Sequence, residues 1–115
     1  MNWKEAITPN EKASFAKLIN STKSCLRSKG ISTTGGITDD QWRDAINCET
    51  AIFSTGSLYT YHTHPNGDPE PSEPDRRTTA KHGKQFMFIG LVPTNEVVVY
   101  GAADGYRRLL GRFKV

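Results

Sequence analysis

His62-Thr63-His64-Pro65-Asn66-Gly67-Asp68-Pro69-Glu70-Pro71-Ser72-Glu73-Pro74-Asp75 ends an extended run with two imidazoles, bends sharply, and returns a serine and a carboxylate toward them. In a strand, residues two apart point to one face, so His62 and His64 present their rings together, about 6–7 Å apart at Cα. Pro65 cannot donate to a ladder and stops the strand. Asn66-Gly67-Asp68-Pro69 is turn chemistry throughout, so the chain reverses at once. Ser72-Glu73-Pro74-Asp75 then has the form of a capping box that opens a helix. Two imidazoles and one carboxylate leave the fourth position of a zinc ion to water, which ionises there near neutral pH. His62, His64 and Asp75 are therefore the candidate metal ligands, with Zn2+ as the expected cofactor.

Working outward, residues 51–53 and 58–64 read as two strands around a Thr55-Gly56 turn. Residues 72–82 read as a helix closed by Gly83. The apolar run 85–92 has the continuous character of a buried central strand. Pro93-Thr94-Asn95 turns the chain into a strand over 96–100, Asp104-Gly105 marks another turn, and alternation predicts a last strand over 109–115. Toward the N-terminus, Thr8-Pro9-Asn10-Glu11 opens a long helix with Phe15, Leu18, Ile19 and Leu26 at helical spacing, stopped by Gly30. Residues 31–36 form a Gly/Ser/Thr loop, and Thr38-Asp39-Asp40-Gln41 caps a short helix carrying Trp42, Ala45 and Ile46. The expected class is α+β, a mixed β-sheet flanked by helices.

A chain of 115 residues supports a single domain, with a helical part over 1–47 and the sheet and metal site over 48–115. The net charge of +3 is mild. Its basic residues thicken at the end, in Arg107, Arg108, Arg112 and Lys114, which reads better as a solvated strand face than as a nucleic-acid footprint. Cys25 and Cys48 stand apart without CxxC pairing and are expected as reduced thiols of a cytoplasmic protein. No signal-like start is present, and the run 86–92 is too short to span a bilayer, so no membrane association is expected. His82 falls near the end of its helix, where the dipole favours a cation. HExxH and PCxxC patterns are absent.

His-x-His-Pro, six residues, Ser, two residues, Asp resembles the signature of the JAMM (MPN-plus) metallohydrolases, met here by His62, His64, Pro65, Ser72 and Asp75. The wording from Pro65 to Ser72 is similar to the RadC branch, and the likeness extends from Glu49 to about Tyr100. The resemblance implies the JAMM/MPN fold (cytidine-deaminase-like), zinc on His62, His64 and Asp75, an oxyanion held with the help of Ser72, and hydrolysis of amide or isopeptide bonds. Peptides or ubiquitin-like conjugates are the implied substrates, although the insertions with which deubiquitinating members grip ubiquitin have little room here. A non-hydrolytic, nucleic-acid-associated module is an alternative, as is a toxin or tail-assembly module of a larger system.

Family members draw a general base from a glutamate on an upstream strand, and Glu5, Glu11 and Glu49 precede the histidines. Glu11 belongs to a capping box and Glu5 precedes the first helix, whereas Glu49 opens an apolar strand. A two-residue turn at Thr55-Gly56 sets Ser54 opposite Ser57 and Glu49 opposite His62; a shift by one position sets Glu49 opposite His64. A three-residue loop without a bulge moves it to the other face; alternatively Glu49 merely ends the preceding helix, which leaves the base to Glu5 or Glu11 or the domain catalytically weak. The segment between Glu49 and the histidines is also shorter than is usual in the family.

Overall fold

Three reciprocal capping boxes start the three α-helices, and each falls where the sequence places one. Thr8 and Glu11 open α1 (Pro9–Ser28), Thr38 and Gln41 open α2 (Asp39–Ile46), and Ser72 and Asp75 open α3 (Glu73–Lys81). A cap of this kind stabilises a helix by about 1 kcal/mol, enough to fix where a short helix begins. The computed structural model describes residues 2–53 and 55–115.

Five strands form one sheet in the order β1 (Ala51–Ile52), β2 (Tyr59–His64), β3 (Phe86–Leu91), β4 (Glu96–Gly101), β5 (Leu109–Lys114). β2 and β3 run parallel, with α3 as their crossover, while the other pairs are antiparallel. The sheet is thus mixed, as the sequence implies. β3 is buried at every position, which explains its unbroken apolar run.

Alternation gives the sheet two unlike faces. Tyr59, Tyr61, Phe86, Phe88, Val97 and Val99 pack with Phe15 of α1, and the Tyr61 hydroxyl donates to the Phe15 carbonyl at 3.1 Å. Gly90 lets that helix approach closely, since a Cβ there would run into the Tyr61 hydroxyl and Ile19. The opposite face carries Thr60, His62 and His64, joined to Met87, Ile89, Val98 and Tyr100 of the neighbouring strands. α3 lies on this side, where Thr79 and Thr60 share a hydrogen bond of 3.0 Å. A third cluster, Leu26, Ile31, Ala45, Cys48 and Val92, ties the end of α1 to α2.

Two expectations need correction. Cys25 and Cys48 are joined in a disulfide, because α1 folds back so that the two Cα atoms come within 5.6 Å, a proximity that spacing alone does not reveal. With the thiols paired, the reason for expecting a reducing compartment falls away. In the hairpin, Ala51 pairs with His62 and Ile52 with Tyr61: the register is not the one that sets Glu49 opposite His62 but the one shifted by one position, which sets it opposite His64. Thr55 is poorly suited to the left-handed backbone that a tight primed turn demands. Ser54, expected opposite Ser57, lies outside the described residues. Among the described residues no helix is long and apolar enough to cross a membrane.

Candidate metal centre

The His62 and His64 rings leave the same face of β2 and meet Asp75 from the first turn of α3, as strand alternation and the capping box require. His62 Nε2 lies 3.1 Å from Asp75 Oδ2 and 3.1 Å from His64 Nε2, and His64 Nε2 lies 3.4 Å from the same carboxylate oxygen. A tetrahedron built on metal–ligand bonds of about 2.0–2.1 Å has edges of about 3.3 Å. The three atoms therefore have the spacing of three corners around one zinc ion.

The orientation of the ligands is built into the loop. His64 Nδ1 donates to the Asp68 carbonyl at 2.7 Å, which leaves the Nε2 lone pair facing the centre, the arrangement common to metal-binding histidines. That carbonyl is held in turn: the Asp68 side chain accepts from Glu70 N at 3.0 Å, and the Tyr100 hydroxyl donates to the Pro69 carbonyl at 2.6 Å. Gly67 turns the chain with φ of +76° against Pro93, where a Cβ would stand 3.0 Å from the proline ring. Asp75 Oδ2 accepts the Ser72 N–H at 3.0 Å, so the capping box also aims the carboxylate. Burial alone would raise the Asp75 pKa, but hydrogen bonds with His62 and His64 dominate and hold it well below the ordinary carboxylate range. Burial disfavours a charge on His64, yet Asp75 and the Asp68 carbonyl together raise its pKa. Both shifts describe a pocket prepared for positive charge.

Glu49 joins this group. Thr63 N donates to the Thr50 carbonyl at 2.9 Å, and continuing the Ala51–His62 register places Glu49 opposite His64. Its side chain lines a cavity of about 520 Å³ together with His64, Ser72 and Asp75. It also lines a smaller one of about 200 Å³ with His62, Asp75 and Phe53. Burial raises its pKa to about 7, with His64 lowering it and Asp75 raising it. Glu11 is ruled out as a partner of the centre, since its carboxylate caps Thr8 N at 3.1 Å and stands beside Tyr59 on the other sheet face. Ser72 accepts the Asp75 N–H at 3.1 Å, which leaves its own hydroxyl proton free to donate into the cavity.

A family model described as prokaryotic homologs of the JAB domain matches residues 37–103, more than half of the chain. The chain belongs to this family. Neither the curated proteins nor the solved structures include a match. The JAB-domain segment holds Glu49, His62, His64, Ser72 and Asp75, and it excludes the whole of α1.

Some neighbours of the site are not evident in the sequence. Periodicity groups Trp42 and Ile46 with Ala45, but only Ala45 is buried; Trp42 and Ile46 face the larger cavity beside Glu49. Thr22, Thr50 and Thr63 form a hydrogen-bonded cluster behind the site, and the only signal for it is polar residues at otherwise apolar positions. His82 is the C-cap of α3, away from the ligands, as its position at a helix end suggests.

Proposed function

We propose that this JAB domain is a zinc-dependent hydrolase of amide or isopeptide bonds. The observation that carries this reading is the set of three ligand atoms at tetrahedral-edge spacing with Glu49 in the adjoining cavity wall. Held by His62 Nε2, His64 Nε2 and Asp75 Oδ2, zinc would supply a Lewis acid that activates water and polarises a carbonyl. Glu49, half-buried and poised near neutrality, accepts the proton of the attacking water and passes it to the departing amine. The Ser72 hydroxyl donates to the oxygen on which charge develops. Asp68 fixes the His64 tautomer through its carbonyl.

Peptides or ubiquitin-like conjugates are the proposed substrates, because a metal-activated water attacks a carbonyl. Of the basic groups in the second half of the chain, Arg76 and Arg107 approach Glu73 at 2.9 and 3.5 Å, and Arg112 on β5 pairs with Glu96 on β4 at 2.9 Å. The test is hydrolysis of a digested-proteome peptide library by zinc-loaded protein, read by mass spectrometry. Wild type should generate new termini, and Glu49→Gln should lower the rate by about 10²–10⁴-fold with zinc still bound. Equal cleavage by both proteins would overturn the assignment of Glu49.

A further inference from the structure

The residues on either side of Glu49 are gripped by one stripe of α1. Leu18, Thr22 and Cys25 recur at helical spacing and so lie on one face of that helix. Cys25 is bonded to Cys48. The Thr22 hydroxyl donates to the Cys48 carbonyl at 3.0 Å, and the Thr50 hydroxyl donates to the Leu18 carbonyl at 3.3 Å. Both neighbours of Glu49 are thereby fixed to α1.

The same stripe reaches the metal strand. Thr63 stands between His62 and His64 and points to the opposite face, where its hydroxyl lies 2.9 Å from that of Thr22. The Thr50 N–H donates to Thr63 Oγ1 at 2.9 Å. With Thr22 donating to the Cys48 carbonyl, the shortest remaining contact has Thr63 donate to Thr22 while it accepts from the Thr50 N–H. Thr22 and Thr63 are fully buried, so losing any link strands a polar group without water. Because Thr50 faces α1, alternation turns Glu49 to the metal side.

We infer that Thr22, Thr63 and the Cys25–Cys48 bond are positioning residues for Glu49, and that α1, which lies outside the family match, is a working part of the site. The inference rests on the hydrolase reading for its effect on rate, but the positioning itself has a readout of its own. None of these groups touches the ligands through a side chain. They set the distance between Glu49 and β2, and misplacement of a catalytic group by about 1 Å costs on the order of a hundred-fold in rate.

The test compares wild type with Thr22→Val, Thr22→Ser and the double variant Cys25→Ala/Cys48→Ala, each loaded with one equivalent of zinc chloride. Zinc content, kcat and KM on a cleaved library peptide, and hydrogen exchange of the Thr50 amide are measured on each. Thr22→Val should retain zinc and KM, lose about ten- to a hundred-fold in kcat, and speed Thr50 exchange by about ten-fold or more. The disulfide-free variant should move the same way, and Thr22→Ser should match wild type. Unchanged kcat and exchange in Thr22→Val would overturn the inference, as would zinc loss in proportion to kcat. If wild type cleaves nothing, the hydrolase reading fails, and Thr50 exchange alone decides whether α1 holds this segment.

Discussion

The loop from His62 to Asp75 and the short segment from Cys48 to Thr50 both border the same centre, yet they are built in opposite ways. The loop is nearly self-sufficient. Its own turn, its own capping box and its own carbonyl orient two histidines and an aspartate. The Glu49 segment has almost nothing local to hold it: its strand is two residues long, and its anchors come from α1 and from the strand it faces. The convergence of His62, His64 and Asp75 is thus encoded locally, and the placement of Glu49 depends on long-range packing.

That contrast can be broken most forcefully at the ligands. His64→Ala or Asp75→Ala should weaken zinc binding by more than about a hundred-fold, beyond what loss of a supporting contact costs; competition with a chromophoric chelator measures it. Thermal unfolding of metal-free His64→Ala should change little by comparison, because the loop is tied down by Tyr100 and Gly67 as well, whereas Asp75→Ala also removes half of the α3 capping box. If Thr22→Val weakened zinc as much as His64→Ala does, the two regions would not be separable.

A smaller effect separates the two tasks of Ser72. Ser72→Ala removes the cap and should cost about 1 kcal/mol, a fall in melting temperature of roughly 4–8 °C for a domain of this size. Ser72→Asn restores a capping acceptor and should recover the melting temperature. Its rate should stay below wild type if the serine hydroxyl also serves the oxyanion. Recovery of both by asparagine would assign Ser72 to the helix alone.

A pH-dependent effect concerns Glu49 in metal-free protein. The fold raises its pKa to about 7, so the protonated form is favoured in the native state relative to the unfolded chain. The resulting contribution is fully present below the ordinary carboxylate range and is lost as pH rises through about 7. Glu49→Gln should therefore be more stable than wild type at pH 8, with the gap closing by pH 5. Equal pH profiles in chemical denaturation would place Glu49 in solvent, away from the cavity.

What could be read from the sequence follows the same division. Helix starts at Thr8, Thr38 and Ser72 were legible because a capping box is a local pattern, and β3 because a strand covered on both faces has no polar positions. The clustering of His62, His64 and Asp75 was legible for the same reason, since strand alternation and a turn suffice to bring them together. The register of the hairpin was only half legible. Its side-chain face follows from parity, but its offset depends on a connection that Thr55 and Gly56 do not close tightly. The Cys25–Cys48 bond and the threonine cluster were invisible, because each joins α1 to residues far along the chain through tertiary packing that no local pattern records.

The proposed chemistry requires a metal at three atoms that sit 3.1–3.4 Å apart. Elemental analysis of protein loaded with zinc and passed through a desalting column tests it most directly, with His62→Ala as control. About one zinc per chain in wild type, and little in His62→Ala, is the predicted result. Zinc absent from wild type, or retained equally by His62→Ala, would contradict the assignment of the centre.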